Sequence, residues 1–149
     1  MLMLMRWAKR SPSEVILELS EREVVTDMER LRQVLSSYRA EGFRFALDDV
    51  GEGHSTLEVL AQSAPEYIKI ARELVQRADQ PGPRSAIRAL AAFAADSGAG
   101  LIAEGIEGEK DEDVMRALGV RLGQGYGLGR PGRGYGFRSH PVEQVVTAS

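Results

Sequence analysis

Short apolar runs rich in valine, isoleucine and leucine alternate along the chain with longer stretches whose apolar residues recur at helical spacing. The pattern predicts strands over Val15–Leu19, Phe43–Asp48, Tyr67–Ile70, Gly100–Glu104 and Leu122–Tyr126. Strand, helix and strand in this order are typical of a parallel sheet with right-handed crossovers. We therefore expect an α/β fold, either a doubly wound sheet or part of a barrel, with the functional site at the carboxyl ends of the strands.

Helices are predicted between these strands. The first is opened by the capping box Thr26-Asp27-Met28-Glu29 and closed by Gly42. Its apolar face consists of Met28, Leu31, Val34, Leu35 and Tyr38. A second helix should begin at the capping box Ser55-Thr56-Leu57-Glu58. A third should run from Pro83 to Gly98, and a fourth should begin with the acidic turn Asp111–Asp113.

Composition narrows the class of protein. The chain has 149 residues, of which 43% are hydrophobic and 28% charged, as expected for one globular domain. A formal charge of -3 gives no overall attraction to nucleic acid, so DNA is not an expected partner. The absence of cysteine excludes disulfides and thiolate metal sites and fits a cytoplasmic location. A complete (β/α)8 barrel takes about 250 residues, so these strands are at most the later part of one.

The two ends of the chain carry no predicted strand. The apolar run Met1–Met5 is too short for a membrane span and lacks the order of a secretory signal, so we expect no integral membrane segment. We read residues 1–14 as the end of a truncated helix and a loop, with a weak interfacial anchor as the alternative. Residues 15–131 form the predicted partial barrel domain, and residues 132–149 read as a C-terminal tail.

Polar side chains recur where the predicted strands end, and in a parallel sheet these ends converge. They are Glu18, Asp48, Asp49, Lys69, Glu104 and Gln124. Four converging carboxylates repel one another unless a positive charge lies between them. Oxygen ligands without thiolate or histidine favour Mg²⁺, Mn²⁺ or Ca²⁺ over zinc. The adjacent acids Asp48 and Asp49 suit a two-metal site.

The runs that contain these residues resemble successive motifs of the EAL domain family. The runs are Glu18-Leu19-Ser20-Glu21, Asp48-Asp49-Val50-Gly51-Glu52-Gly53-His54-Ser55, Tyr67-Ile68-Lys69-Ile70, Ala103-Glu104-Gly105-Ile106-Glu107 and Gln124-Gly125-Tyr126 through Pro131. The resemblance implies a modified TIM barrel, here incomplete and α/β with about five parallel strands. It also implies a metal-dependent phosphodiesterase that hydrolyses cyclic di-GMP to linear pGpG.

The resemblance further implies a role for each matching residue. Glu18, Asp48 and Glu104 would be metal ligands, and Asp49 would help to hold a second ion and the attacking water. Lys69 would orient or deprotonate that water. Such a complete site would hold two Mg²⁺ or Mn²⁺ ions.

Three further residues receive roles in the same way. Gln124 would lie beside the water or the substrate phosphate. Glu21 would hold the glycine loop after Asp49, and Glu107 would support the metal-binding strand end from outside the ligand set.

The chain also departs from the family pattern. The Glu-Ala-Leu signature, a nearby arginine and an asparagine ligand belong upstream of Glu18 and are not found there. Ala71 replaces an aspartate, and Leu128 replaces an aromatic that stacks on a guanine base, a contact worth about 1–3 kcal/mol. Glu52 and His54 alter the glycine loop. We therefore expect this chain alone to be weak or inactive.

Two other interpretations stay open. One is a degenerate, non-catalytic EAL-like module that binds cyclic di-GMP or a protein. An incomplete barrel leaves open sheet edges, which a second copy of the chain or a partner domain would cover. The other is an unrelated doubly wound domain of the response-regulator type, which also uses paired acids and a lysine.

Overall fold

A computed structural model of the chain describes residues 11–20, 28–51, 56–129 and 143–144. Its strands form one parallel sheet in the order β1 to β6. The strands are β1 (Ile16–Ser20), β2 (Arg44–Val50), β3 (Tyr67–Ile70), β4 (Gly100–Glu104), β5 (Leu122–Gln124) and β6 (Glu143–Gln144). The helices are α1 (Met28–Ala40), α2 (Thr56–Ser63), α3 (Arg72–Gln76), α4 (Pro81–Ser97) and α5 (Glu109–Ala117), and a 3-10 turn at Pro12–Glu14 precedes β1.

The order of the strands in the sheet is their order in the chain, which decides between the two architectures left open above. A doubly wound sheet reverses its strand order at a switch point, whereas a barrel adds each strand to the same side. The sheet has no reversal over its described strands. The predicted incomplete barrel is therefore confirmed, and the doubly wound alternative is wrong. The sheet is not closed, because β1 pairs with β2 alone and β6 with β5 alone among the described residues.

The hydrophobic core lies on one face of this sheet. Leu47, Ile68 and Leu101 project from neighbouring strands into a cluster with helix residues such as Leu60 and Ile87. Because side chains alternate across a strand, the residues between them in sequence point to the opposite face. Lys69, between the fully buried Ile68 and Ile70, is thereby directed away from the helices.

An ion-pair cluster ties the first helix to the sheet at the amino ends of the strands. Glu66 accepts hydrogen bonds from Arg39 Nε at 2.8 Å and from the Phe45 backbone N–H at 2.8 Å. Arg39 also donates to the Ala64 carbonyl at 2.6 Å, and its guanidinium lies 5.4 Å from the centre of the Phe45 ring. Burial alone would raise the pKa of Glu66, but Arg39 and the Phe45 amide outweigh burial and lower it.

Several boundaries differ from the sequence prediction. Helix α4 begins at Pro81 rather than Pro83. Both prolines lie in its first turn, where a backbone N–H would have no acceptor within the helix, so neither proline removes a helical hydrogen bond. Helix α3 was not predicted, because its single turn is too short for an apolar period to show. Strand β2 continues to Val50, and β5 ends at Gln124. Within the predicted tail, Glu143–Gln144 pairs with β5 as a short strand.

Some predictions fall outside the described residues. These are the starts of both capping boxes, residues 1–10, Glu21, Glu52, His54 and most of the predicted tail. Over the residues that are described, no helix is both long and apolar enough to cross a membrane.

Candidate functional site

Lys69 is the centre of the candidate site. Its Nζ lies 3.1 Å from Glu18 Oε2, 2.7 Å from Asp48 Oδ1 and 2.8 Å from Glu104 Oε1. The lysine is only 4% exposed, and buried lysines require such partners. Strands β1 to β4 thus each supply one of these four charged side chains. The expected convergence of strand ends on one site is present in the structure.

A bulge in β2 places two adjacent acids on the same side of the sheet. Leu47 pairs with Ile68 and Val50 with Ile70, so Asp48 and Asp49 together face the single residue Lys69 of β3. Asp49 takes a left-handed backbone conformation with φ +56°, which is uncommon for residues other than glycine. In a regular strand the two side chains would point to opposite faces. The bulge therefore explains how both carboxylates reach one site.

Carboxylate oxygens of Asp48, Asp49 and Glu104 lie within 4.8 Å of one another. Glu18 is not part of this group of three and reaches it through the Lys69 ammonium. Gln124 lies in register with Glu104 on the neighbouring strand, and its buried Oε1 has no hydrogen-bond partner among the described residues. The arrangement collects oxygen donors that suit a hard divalent cation.

The charges of the site act on one another. Burial alone would lower the pKa of Lys69, but its contacts with Asp48 and Glu104 outweigh burial and raise it. Burial raises the pKa of Glu104, and the negative charges of Asp48 and Asp49 add to that effect against the opposing influence of Lys69. In this arrangement Lys69 is a stable cation, and Glu104 is protonated more easily than an ordinary glutamate.

Glu107 lies apart from the three carboxylates and fastens the loop that follows β4. Its Oε1 accepts hydrogen bonds from Arg72 Nη2 at 2.5 Å and from Gln76 Nε2 at 2.8 Å, both on α3. Its backbone N–H donates to Asp111 Oδ2 at 3.0 Å. This contact between α3 and the loop was not foreseen, because α3 itself gave no sequence signal.

The loops after β4 and β5 pack backbone against backbone. The Ile106 N–H donates to the Gln124 carbonyl at 3.0 Å, and the Gly127 N–H donates to the Ile106 carbonyl at 2.8 Å. A Cβ on Gly127 would lie 2.6 Å from backbone atoms of Glu107 and Gly108. Glycine is needed here for close approach, which accounts for part of the glycine-rich run after Gln124.

Two of the residues that depart from the family pattern, Ala71 and Leu128, are accommodated in the fold. Ala71 is fully buried, and its N–H donates to the Val50 carbonyl at 3.1 Å. Leu128 packs against the hydrophobic core and lines, with Met115 and Val120, a cavity of about 260 Å³. Met115 belongs to α5, so Leu128 lies on the helix side of the sheet. The only large apolar or aromatic side chain near Gln124 that is mostly exposed among the described residues is Tyr126, at 70%.

The fold and the site together define a (β/α)-barrel-type domain with a carboxylate and lysine cluster at its strand ends. The family model of the EAL domain matches residues 3–131. The chain belongs to the EAL domain family.

Curated relatives agree with this assignment. The chain is 31% identical over 121 residues to the cyclic di-GMP phosphodiesterase RocR of Pseudomonas aeruginosa, with 80% of this chain and 31% of RocR covered. It is 32% identical over 130 residues to the cyclic di-GMP phosphodiesterase PdeL of Escherichia coli, with 87% of this chain and 36% of PdeL covered. The chain thus spans about a third of the length of these relatives.

Solved structures share the fold. Klebsiella pneumoniae BlrP1, in a complex with calcium and cyclic di-GMP, superposes with a TM-score of 0.83 at 30% identity over 87% of this chain and 33% of BlrP1. The EAL domain of Mycobacterium smegmatis DcpA superposes with a TM-score of 0.78 at 33% identity over 85% of this chain and 57% of the DcpA chain.

Proposed function

We propose that the chain carries the C-terminal part of an EAL-type phosphodiesterase that hydrolyses cyclic di-GMP to linear pGpG with divalent metal ions. The observation that carries this proposal is the group of three carboxylates beside a buried lysine, on a chain of this family. Relatives named as cyclic di-GMP phosphodiesterases and a neighbour solved with manganese and cyclic di-GMP support the choice of substrate and of metal class.

The residues present would supply part of the ligand set for the two Mg²⁺ or Mn²⁺ ions of a complete site. Asp48, Asp49 and Glu104 offer oxygen ligands within 4.8 Å of one another, and Gln124 offers a buried acceptor without a partner among the described residues. Glu18 would join the ligand set from β1. When bound, such ions polarise a phosphodiester and lower the pKa of a coordinated water.

The remaining side chains act by orientation. Lys69 would orient or deprotonate the attacking water; its contacts with Asp48 and Glu104 raise its pKa in the arrangement described here, which favours orientation by a charged ammonium. Gln124, beside Glu104, would contact the water or the phosphate. Glu107 would keep the β4 end in place through Arg72 and Gln76, and Glu21 would hold the loop after Asp49.

Activity of this chain alone should be slow, because the sequence contains no Glu-Ala-Leu signature. The direct experiment incubates the chain with cyclic di-GMP and Mn²⁺ or Mg²⁺ and follows pGpG by chromatography. We expect slow turnover that Asp48→Asn removes, whereas Glu58→Gln on the exposed side of α2 leaves it unchanged. Turnover unaffected by Asp48→Asn would contradict the proposed site. Rapid turnover by a monomer would contradict the account of the missing ligands.

A non-catalytic binding module is the second candidate function. Ala71 and the inward-packed Leu128, at two positions where the family pattern differs, favour it. Calorimetry with cyclic di-GMP in Ca²⁺ separates the candidates. Binding without any pGpG formation in Mn²⁺ supports the module, and turnover supports the enzyme.

We also propose that a second copy of the chain or a partner domain covers the open edge of the sheet, in the cytoplasm. The β1 edge has unpaired backbone groups among the described residues, and such edges readily add another strand.

A further inference from the structure

The Lys69 ammonium lies where a metal ion would need its ligands. It contacts Asp48 and Glu104, two of the three carboxylates that can share a cation, and also Glu18. Among the described residues, no second cationic side chain forms an ion pair with Glu18, Asp48, Asp49 or Glu104. Lys69 is therefore the one cationic side chain among the described residues that offsets these four carboxylates.

We propose that Lys69 acts as a resident counter-cation, which keeps the ligand carboxylates together in the absence of metal and competes with the metal for the same oxygens. This inference rests on the metal site of the proposed function. It assigns to Lys69 a positioning task that is separate from any contact with water or substrate.

The competition follows from the short distances. Each oxygen held 2.7 or 2.8 Å from the ammonium directs one of its lone pairs at it, so a divalent ion bound by the same carboxylates would lie close to the ammonium charge. Two positive charges cannot both approach these oxygens at full strength, because they repel each other. An incoming ion must therefore loosen at least part of the Lys69 contacts, and the loss subtracts from its affinity.

The surroundings of Lys69 prevent it from leaving for solvent. The residue is 4% exposed, and its cross-strand neighbour on β4, Ile102, is 2% exposed. The aliphatic part of the Lys69 side chain is thus packed in the protein interior, and its ammonium group contacts the three carboxylates. The ammonium therefore stays beside the carboxylates, where it would be the nearest competitor of any ion.

The test replaces Lys69 by methionine in the full chain and titrates Mn²⁺, with calorimetry and thermal unfolding as readouts. We expect K69M to melt at a lower temperature without metal, because the carboxylates then repel one another, and to bind Mn²⁺ about tenfold more tightly. The matched control K110M removes the same charge from an exposed lysine paired with Asp79 and should change neither quantity. Equal or weaker Mn²⁺ binding by K69M would overturn the proposal.

A second variant covers the case in which K69M does not fold without metal. The double variant K69M/E18Q carries one carboxylate fewer, so it should fold in EDTA, as judged by far-ultraviolet circular dichroism. It should bind Mn²⁺ more tightly than E18Q alone; equal or weaker binding would overturn the proposal. If the unmodified chain and K69M both bind no Mn²⁺, the metal site itself is wrong. Mn²⁺ binding that weakens without Lys69 overturns the counter-cation proposal and leaves the metal site of the proposed function standing.

Discussion

Asp49 is the residue at which backbone conformation and site chemistry are most closely linked. Its positive φ belongs to a region that costs an ordinary residue roughly 1–2 kcal/mol and that asparagine and glycine accept more readily. β-Branched residues are the least compatible with it. Aspartate, like asparagine, tolerates this region, so position 49 can supply a carboxylate where most other side chains would strain the bulge.

The strain that a β-branched side chain would meet at this φ is measurable by substitution. We predict that Asp49→Val unfolds with a free energy about 1–2 kcal/mol below that of Asp49→Asn, since both variants lose the charge but only valine is strained at this φ. Urea denaturation in EDTA measures the difference. The control makes the same two substitutions at the exposed Asp113 of α5. The free energies of unfolding of these two variants should differ by only about a few tenths of a kcal/mol, the size of a difference in helix propensity. Equal stabilities at position 49 would refute the strain.

The site residues were predictable because each ends or occupies a recognisable strand. Glu18, Asp48, Lys69 and Glu104 come from separate strands, and parallel topology alone brings such residues together. The bulge was not predictable, because two consecutive acidic residues at a strand end indicate a candidate site but do not indicate the local backbone conformation. Their common direction depends on pairing with β3, which is a tertiary property.

At the scale of elements, the Arg39 and Glu66 cluster connects α1 with the start of β2 and β3. The folded-state pKa of Glu66 is lowered below its ordinary value of 4.5. Its ionised carboxylate therefore stabilises the fold above that value, and the contribution is lost as the pH falls through the lowered pKa. The effect is modest because the side chain is one-third exposed, at 33%.

We predict that Glu66→Gln lowers the free energy of unfolding at neutral pH by about 1 kcal/mol. The difference from the unmodified chain should shrink as the pH falls below the ordinary pKa of glutamate. Urea denaturation across a pH series measures it. Glu41→Gln, on an exposed turn, is the control and should have no effect at any pH. A Glu66→Gln effect that persists in acid would show that charge is not its cause.

The backbone contact between the loops after β4 and β5 gives another prediction. Gly127→Ala should lower the free energy of unfolding by about 1–3 kcal/mol, because its Cβ would meet backbone rather than a movable side chain. Gly82→Ala near the start of α4 meets no atom within 4 Å and is the matched control. Thermal unfolding of both variants measures the difference in stability. A Gly127→Ala chain as stable as the control would mean that the loops separate without cost.

Element prediction succeeded where an apolar period ran over several turns and failed where it did not. The face of α1 and the Ala-rich α4 show that period clearly. The single turn of α3 does not, although it supplies both partners of Glu107. The sequence pattern thus predicted the order of strands and helices. The contacts between the loops depend on how closely two distant backbone segments approach each other, which no local sequence pattern indicates.

At the scale of the whole molecule, the β1 edge presents a defined set of backbone groups that have no strand partner among the described residues. The Arg44 N–H donates to the Val15 carbonyl at 3.4 Å, so odd-numbered residues of β1 direct their backbone groups towards β2. Even-numbered residues then face away from β2, towards the open edge. Ile16 is one of these, and the preceding residue Val15 has φ -115° and ψ 131°, values that a following proline accepts.

We predict that the chain self-associates through this edge and that Ile16→Pro shifts it towards monomer while its circular dichroism is retained, since proline lacks the N–H that the edge would offer. Sedimentation velocity over a concentration series measures the shift. Leu17→Pro removes an N–H directed at β2 and should instead destabilise the fold. A sedimentation coefficient independent of concentration in the unmodified chain would exclude edge pairing between copies.

The bulge in β2 has a consequence for how this segment tolerates change in length. Deleting either Asp48 or Asp49 would let the strand resume its even pleat, and the remaining acid would again oppose Lys69. Hydrophobic alternation on both sides would survive, so such a shortened chain should still fold. The number of residues in this strand, and not acidity alone, therefore decides whether two carboxylates lie on the same face of the sheet.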